Sequence, residues 1–428
     1  MYNIPSGWES SKIGLLFDIK QGKSLSRRKQ TGTQLKKFLR TSNVLWCKLD
    51  LSNLDEMDFT DDECRKLELQ YSDLLVCEGG DIGRTAIWRN ELTDCYYQNH
   101  LHCLRLKDKR VNPFYAMFWL YAGMTQLGIY EGAGNKTTIP NLSRSRLSEF
   151  EICFPNIVEQ KKIASVLIKI QKAIELQDKL IETINELKKA TMQQLFTKGL
   201  YGEKTKQTEI GEIPESWDIL TINKGYVFTK KPNNLNYKDF KEIAFVPMEL
   251  IPIMSIASNK YILKEINDIS SGTYFEEGDI LIAKITPCFE NGKQCVINDI
   301  PNGFGVATTE VIPIKEIKGI SNKYYLYYYL LKPDIRSYIT AKMEGATGRQ
   351  RVPVNLIKNL LIPFPALPVQ ENISSILLSI DNKLGIYELK KTTLKVLFNS
   401  MLNKLITEDI ELNALSINIE ELENTRNQ

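Results

Sequence analysis

The sequence predicts an α+β protein built from two related globular units that are separated by two long helices, which pair as an antiparallel coiled coil. Three observations support this fold class: the chain length, an internal repeat the size of a domain, and two long stretches with helical periodicity. A chain of 428 residues exceeds one ordinary hydrophobic core and suggests about two to four folding units. Apolar residues at 43% and charged residues at 25% are typical of a globular protein.

The internal repeat has an offset of about 210 residues, which is the size of a domain and far longer than a solenoid unit. Each copy opens with an Ile-Pro-x-x-Trp segment and closes with a Phe-Pro step followed by a glutamine. The matched segments are 4–8 and 213–217, 112–115 and 322–325, 131–133 and 344–346, 154–155 and 364–365, together with Gln160 and Gln370. A tandem duplication of one unit accounts for this order.

Each half ends in a long helical pattern whose apolar residues alternate at spacings of three and four. Residues 157–198 contain no glycine or proline, and Gly199 then suits the C-cap. The predicted coiled-coil residues are Ile163, Leu167, Ile170, Ile174, Ile181 and Ile184 in the first helix, and Ile373, Leu377, Ile380, Leu384, Leu394 and Leu405 in the second. Gln177 interrupts the first stripe, and Gly385 weakens the second helix by roughly 1 kcal/mol relative to alanine.

A helix of this length, roughly 60 Å, cannot bury its apolar stripe within its own half of the chain. The simplest partner is the equivalent stripe of the other half. An antiparallel pair then relates the halves by a pseudo-twofold axis, whereas a parallel pair would need a long connection that the sequence lacks.

The predicted boundaries divide the chain into five parts: a globular unit 1–156, a helix 157–200, a second globular unit 201–366, a helix 367–408 and a polar tail 409–428. Both globular units mix strand-like runs with one aromatic helix each. We expect strands over 73–77, 100–106, 279–283 and 306–314, and aromatic helices over 113–121 and 323–331.

No catalytic residue and no metal ligand is predicted. The chain has only two histidines, His100 and His102, and their neighbourhood with Cys95 and Cys103 lacks zinc spacing. Residues 132–138 lack the spacing of a phosphate loop and precede Ile-Pro instead of a helix. Residues 112–115 are similar to the Asn-Pro-Pro-Tyr tetrapeptide of amino-methyltransferases, but the second proline is missing. Asn112 is better explained as a helix N-cap.

The chain lacks a long apolar span and a secretory start, so we expect a cytoplasmic protein with no membrane contact. Its eight cysteines include no CxxC pair and mostly fall in apolar runs, which indicates buried, reduced thiols.

A net charge of only +3 means that any basic face must be local. The segment from Lys20 to Arg40 has eight basic residues and no acidic one, which suits phosphate neutralisation. The candidate DNA-binding residues are Lys23, Arg27, Arg28, Lys29, Lys36, Lys37, Arg40, Arg84, Lys136, Arg144 and Arg146 in the first half, and Lys230, Lys231, Asn234, Lys293, Arg349 and Arg351 in the second. The alternative for every one of them is an ordinary solvated loop.

The ordered set of these features, in duplicate, resembles the specificity subunits of type I restriction–modification systems. The resemblance covers the chain from Ile4 to about Leu405. No single motif is specific, and the matched positions are structural: Pro5, Trp8, Pro155, Gln160, Pro214, Trp217, Pro365, Gln370 and the two helical stripes.

The resemblance implies that the globular units are target-recognition domains, each reading one half of a split double-stranded DNA site. The helices would hold the half-sites apart and dock two methyltransferase subunits. This chain would be a non-catalytic subunit without a cofactor. S-adenosylmethionine would belong to the adenine methyltransferase, and ATP and Mg to a motor and nuclease subunit, in a complex that is an ATP-dependent site-specific deoxyribonuclease.

Two other functions remain open at this level. A DNA-binding or scaffold recognition subunit outside restriction could use the same architecture. A self-contained methyltransferase is disfavoured because the sequence has no cofactor motif.

Overall fold

The computed structural model describes residues 5–24, 35–130, 141–254, 256–346 and 348–407. The chain forms two compact units. Unit 1 comprises Met1–Leu176 and Lys391–Gln428, and unit 2 comprises Gln177–Lys390. Each unit therefore contains one globular part and a segment of each long helix.

In unit 1 the elements are numbered in chain order. The strands are β1 (Glu9–Lys12), β2 (Phe17–Gln21), β3 (Leu35–Leu39), β4 (Val44–Leu45), β5 (Lys48–Leu49), β6 (Asp55–Asp58), β7 (Leu74–Cys77), β8 (Thr85–Ile87), β9 (Tyr96–Tyr97), β10 (Leu101–Leu106) and β11 (Glu151–Phe154). The helices are α1 (Ile13–Leu16), α2 (Asp61–Leu67), α3 (Pro113–Thr125), α4 (Arg144–Ser148) and α5 (Ile157–Lys198), the last of which continues into unit 2.

Unit 2 continues the numbering. The strands are β12 (Thr205–Thr208), β13 (Gly211–Pro214), β14 (Asp218–Thr221), β15 (Tyr226–Phe228), β16 (Glu242–Val246), β17 (Ala257–Ser258), β18 (Ile262–Glu265), β19 (Thr273–Glu276), β20 (Ile280–Ala283), β21 (Gln294–Ile297), β22 (Phe304–Ala307), β23 (Val311–Glu316) and β24 (Leu361–Phe364). The helices are α6 (Ile222–Gly225), α7 (Lys323–Leu331), α8 (Pro333–Thr340), α9 (Val354–Lys358) and α10 (Leu367–Ile406), which returns to unit 1.

The two units share a sheet plan. In unit 1 the strand order β2-β10-β7-β8 forms one sheet, and β6-β3-β9 forms a second. In unit 2 the corresponding orders are β15-β23-β20-β21, extended by β17, and β18-β16-β22, extended by β19. A separate antiparallel pair, β1 with β11 or β14 with β24, joins the beginning of each globular part to its end. The internal repeat of the sequence is thus a repeat of topology.

The core of each unit surrounds its aromatic helix, α3 or α7. Asn112 and Asn322 cap these helices, because each side-chain oxygen accepts hydrogen bonds from the backbone N–H groups two and three residues later. The predicted N-cap at Asn112 is confirmed. One turn in, the buried hydroxyls of Tyr115 and Tyr325 donate to the carbonyl oxygens of Cys153 and Pro363 at 2.8 and 2.9 Å. These bonds fix each helix against the strand that precedes a long helix.

A buried glutamine anchors the start of each long helix. The Gln160 Oε1 accepts a hydrogen bond from the Asn112 N–H at 2.7 Å, and its Nε2 donates to the carbonyl oxygens of Arg110 and Pro155, both at 2.8 Å. Gln370 makes the equivalent bonds in unit 2, including one from the Asn322 N–H at 3.0 Å. Both glutamines are fully buried, so these hydrogen bonds satisfy polar groups that water cannot reach.

The long helices pair antiparallel within each unit. In unit 1, Ile163 and Leu167 of α5 share a core with Phe398 and Leu405 near the end of α10. The same pairing occurs in unit 2. There Lys188 pairs with Asp381 at 2.5 Å, and Phe196, farther along α5, shares a core with Ile373, which is earlier in α10. Residue numbers therefore rise along one helix as they fall along its partner. The predicted α+β fold class with two paired long helices is confirmed.

The predicted stripe residues differ in burial. Ile163, Leu167, Ile181, Ile373, Leu377 and Leu405 are buried, whereas Ile170, Ile174, Ile184, Ile380, Leu384 and Leu394 are half-buried. The stripe also contains polar groups, since Gln177 and Lys188 are buried beside these apolar residues. At the end of α5, Gly199 has a φ of +68°, which fits the predicted C-cap.

One predicted strand is wrong. The run 306–314 is two strands, β22 and β23, which belong to different sheets and are separated at Thr308–Glu310. The apolar run contains no glycine or proline at the break, so its sequence does not show the change of sheet. All eight cysteines are free thiols, and six are buried, as predicted.

The Lys188–Asp381 ion pair in unit 2 leads us to predict how two substitutions change the free energy of unfolding. Replacing Lys188 by methionine leaves the buried Asp381 carboxylate without its cation, so Lys188→Met should lower the free energy of unfolding by about 3–5 kcal/mol. Adding Asp381→Asn should restore most of the loss, because the amide oxygen still accepts from the Tyr328 hydroxyl. Urea denaturation measures both variants. The exposed neighbour provides the control Lys189→Met, and equal effects of the two lysine substitutions would contradict the assignment.

Candidate nucleic-acid interface

The basic side chains selected from the sequence lie in three settings: paired in the interior, paired at the surface, or exposed. Arg27, Arg28, Lys29 and Lys136 lie outside the described residues. For the others the setting decides the chemistry, because a cation that is committed to internal bonds is not available to a phosphate.

Lys23 lies in the interior of unit 1. Its side chain is only 7% exposed, its Nζ donates to the Asp58 carbonyl oxygen at 2.7 Å, and it forms an ion pair with Glu63. The same ammonium lies 5.0 Å from the centre of the Phe59 ring. The Lys23 ammonium is therefore committed to internal bonds, and its predicted phosphate contact stays a prediction without structural support. Its place in a basic run of the sequence gave no sign that it is buried.

Arg84 and Lys293 occupy equivalent positions, one residue before β8 and β21. Arg84 Nη2 donates to the Thr41 carbonyl oxygen at 3.0 Å, and Lys293 Nζ donates to the Met248 carbonyl oxygen at 2.9 Å. Thr41 and Met248 each begin a short 3-10 helix. Each cation therefore holds the equivalent short helix of its own unit in place. Their predicted DNA contacts stay predictions.

The cations on and after β3 are paired at the surface. Lys36 pairs with Asp94 and Arg40 pairs with Asp55, each at 2.9 Å, and all four side chains are about a third to two thirds exposed. The intervening Lys37 is exposed. Such pairs contribute little to stability, so a phosphate can replace either carboxylate at small cost. These three cations remain candidates.

The remaining predicted contacts are exposed side chains. Lys231 lies over the Tyr237 ring, with its Nζ 4.0 Å from the ring centre, so part of its position is fixed. The exposed set comprises Arg144 and Arg146 on α4 of unit 1, and Lys230, Lys231, Asn234, Arg349 and Arg351 in unit 2. Exposure does not exclude a partner, since Arg351 also forms an ion pair with Glu310.

A polar cluster that the sequence analysis missed lies in unit 1, where β7 ends and β10 begins. The Glu78 N–H donates to the His100 carbonyl oxygen at 2.9 Å, and the Leu142 N–H donates to the Glu78 carbonyl oxygen at 2.7 Å. The Glu78 carboxylate accepts hydrogen bonds from Asn141 Nδ2 at 3.1 Å and Gln21 Nε2 at 3.4 Å, and His100 Nδ1 lies 3.6 Å away. Three chain segments thus bring their polar side chains to one carboxylate.

Unit 2 repeats these two backbone hydrogen bonds, which we call the strand-end frame, with different side chains. The Lys284 N–H donates to the Glu310 carbonyl oxygen at 2.9 Å, and the Val352 N–H donates to the Lys284 carbonyl oxygen at 2.8 Å. Here the carboxylate is on Glu310, and the Arg351 Nε and Nη2 groups bind both of its oxygens at 2.8–3.0 Å. The hydrogen bonds from Arg351 lower the pKa of Glu310. Arg351 is among the residues predicted from the sequence, and Glu310 is not.

The buried aspartate that directly precedes β7 in unit 1, or β20 in unit 2, has a different partner in each unit. In unit 1 the Arg105 guanidinium donates to both oxygens of Asp73, at 2.9 and 2.6 Å. In unit 2 the equivalent cation, Lys315, pairs with Glu276 instead of Asp279. Burial raises the pKa of Asp279 to about 6, although its carboxylate accepts a hydrogen bond from the Glu276 N–H at 2.8 Å.

The two histidines have separate roles. His102 is fully buried, its Nε2 lies 2.8 Å from the Leu142 carbonyl oxygen, and burial lowers its pKa. It is therefore a neutral ring whose Nε2 donates, whereas His100 is more than half exposed. Among the described residues, no group of three or more His, Cys, Asp or Glu side chains is placed to hold a metal ion.

Comparison with known proteins identifies the family. The family described as "Type I restriction modification DNA specificity domain" matches the chain twice, at residues 5–186 and 212–396. The two matches cover the repeat that the topology shows.

The chain belongs to the type I restriction–modification DNA specificity family.

Two curated relatives show how far the similarity extends. The chain is 37% identical to the type I restriction enzyme EcoAI specificity subunit of Escherichia coli over 163 residues, which is 38% of this chain and 27% of that protein. It is 25% identical to the putative type I restriction enzyme MjaX specificity subunit of Methanocaldococcus jannaschii over 431 residues, which is 96% of this chain and 95% of that protein. The second match extends over both repeats of this family member.

Two solved structures share the fold of this family member. The S subunit of a type I restriction–modification system from M. genitalium has a TM-score of 0.57 at 19% identity, covering 94% of this chain and 96% of that one. A chain from a study of type I system assembly and conformational transition has a TM-score of 0.54 at 13% identity, covering 96% and 100%. In the described part of this specificity protein, no helix is both long and apolar enough to cross a membrane.

The raised pKa of Asp279 leads us to predict how the free energy of unfolding depends on pH. A carboxyl whose pKa rises from 3.8 to about 6 on folding stabilises the fold below pH 4, and this contribution, about 3 kcal/mol in total, is lost as the pH rises through 6. The free energy of unfolding should therefore fall less steeply with pH in Asp279→Asn than in the wild type. Urea denaturation from pH 4 to 8 measures the difference. The exposed Asp268→Asn is the control, and parallel curves for Asp279→Asn and wild type would contradict the assignment.

Proposed function

We propose that this chain is the sequence-recognition subunit of a type I restriction–modification complex, and that it binds double-stranded DNA at a two-part site. Unit 1 and unit 2 each read one half. One observation carries the proposal: the two units hold the same backbone frame, with polar and charged side chains of different chemistry at equivalent strand ends. One fold used twice with different surfaces suits the reading of two different sequences.

Binding to the DNA backbone would use the exposed cations, and base contacts would add sequence preference. Phosphate neutralisation by Lys and Arg is independent of sequence and sensitive to salt. The exposed members that suit this role include Arg144 and Arg146 on α4 of unit 1, and Lys231 and Arg349 in unit 2. Lys37 would contribute directly, and Lys36 and Arg40 would contribute after exchange of their surface carboxylates.

The chemistry of the complex would belong to partner subunits. In this proposal two methyltransferase chains dock on one copy of this chain, one for each repeat. They would bind S-adenosylmethionine and methylate adenine, while a motor and nuclease subunit would use ATP and Mg to cut unmodified DNA. The native mass of the assembled methyltransferase complex distinguishes two partners per chain from one. The cytoplasmic location stays a prediction.

The salt dependence of DNA binding tests the phosphate contacts. Replacing both Lys231 and Arg349 by alanine removes two exposed cations, so the slope of log K against log salt should become shallower by about 2. Binding to the recognised site and to unrelated duplex should weaken alike. Titration of both duplexes between 50 and 200 mM salt, roughly the range over which such contacts act, measures the slope.

The matched control is Lys318→Ala, an exposed lysine beyond the opposite end of β23 from Glu310. A changed sequence preference at an unchanged slope would show that Lys231 and Arg349 read bases instead. If the wild-type chain, assembled with its methyltransferase, directs no sequence-specific methylation, the proposed function is wrong.

A further inference from the structure

The internal duplication separates positions that the fold dictates from positions that it leaves open. Where the fold needs one chemistry, both units have it: Asn112 and Asn322 cap the aromatic helices, and Gln160 and Gln370 anchor the long helices. The cation that holds the short 3-10 helix is also retained, as arginine in one unit and lysine in the other. Equivalent positions with unlike chemistry therefore serve something other than the fold.

The strand-end frame holds such a set. Three positions of the frame carry Glu78, His100 and Asn141 in unit 1, and Lys284, Glu310 and Arg351 in unit 2. A fourth position carries Gln21, the last residue of β2, in unit 1 and Lys230, two residues beyond β15, in unit 2. The backbone bonds agree to within 0.1 Å between units, at 2.9 Å in both for one bond and 2.7 against 2.8 Å for the other. The side chains alone differ.

In unit 1 the buried member positions the exposed ones. The Glu78 side chain is 11% exposed, whereas that of His100 is 57% exposed. Gln21 Nε2 donates to Glu78 and to the Asn99 carbonyl oxygen at 2.9 Å, so both of its N–H groups are used and its Oε1 is left as an acceptor. With a proton on the His100 Nδ1 that faces Glu78, the outer Nε2 of the ring is an acceptor too.

In unit 2 the carboxylate positions a donor. Glu310 occupies the Nε and Nη2 edge of the Arg351 guanidinium, and the Arg351 side chain is 52% exposed. The remaining edge, formed by Nη1 and the second Nη2 hydrogen, presents two parallel N–H donors. An ion pair this exposed contributes little to stability, so the fold alone does not account for it.

We propose that Gln21 and His100 in unit 1, and Arg351 in unit 2, contact base edges in the major groove and determine which bases each unit accepts. Glu78 and Glu310 are positioning residues. The acceptors of unit 1 suit the amino groups of adenine N6 or cytosine N4, and the guanidinium edge of unit 2 suits guanine O6 and N7. This inference rests on the proposed function and adds the residues that determine specificity.

The test uses the full chain assembled with its methyltransferase, and the readout is the methylated motif mapped over random-sequence duplex DNA. Arg351→Gln should lower the preference for guanine at one position of one half-site by at least about tenfold, with adenine favoured instead. His100→Arg should change one position of the other half-site toward guanine. All remaining positions should keep their preferences. Lys318→Ala and the exposed Lys109→Ala are controls that should leave the motif unchanged.

A conservative variant guards against misfolding. Arg351→Lys keeps a cation beside Glu310 and a donor for guanine but lacks the fork, so it should weaken the preference for guanine without a change to adenine. A motif that stays intact in a folded Arg351→Gln or His100→Arg, or a change to adenine in Arg351→Lys, overturns the inference while the proposed function stands. A wild-type complex without any sequence preference would instead reject the proposed function. Thermal unfolding of each variant shows which results come from folded protein.

Discussion

The buried glutamine at the start of each long helix is the interaction on which the rest of each unit depends. Gln160 and Gln370 each join three backbone groups: the N–H of the residue that caps the aromatic helix, a carbonyl in the segment before it, and the carbonyl of the Phe-Pro step. A shorter side chain cannot span these groups, and a carboxylate has no N–H to donate. The glutamine thus fixes the aromatic core to a helix that leaves the globular part. The same bonds in both units give them the same backbone arrangement.

A backbone arrangement fixed in this way lets surface side chains change without loss of the fold. The largest apolar cores lie around α3 and α7, and the caps and the glutamine satisfy the polar backbone groups near them. Polar residues at the strand ends then bond mainly to one another, as Asn141 does with Glu78 and Arg351 with Glu310. Recognition chemistry can therefore differ between the units while their topology stays alike.

Several features could be predicted from sequence because they repeat or are periodic. The duplication, the two long helices, the N-cap at Asn112 and the helix end at Gly199 all depend on local patterns. The roles of Lys23, Arg84 and Lys293 could not be predicted, because their partners are distant backbone carbonyls and carboxylates that only the fold brings near. Glu78 and Glu310 were missed for the same reason. Aligning the halves on Asp73 and Asp279 would have placed Glu78 opposite Lys284 and marked the position.

In the proposed function, two units with the same backbone arrangement read two sequences independently. The most direct measurement replaces residues 1–156 by the corresponding unit of a related specificity subunit, assembles the hybrid with its methyltransferase and maps the methylated bases. Each unit has its own core, so one half of the recognised motif should change, and the other half and the spacer should stay as in the wild type. A hybrid that loses or changes both halves would show that the units build one composite surface, and it would contradict this account.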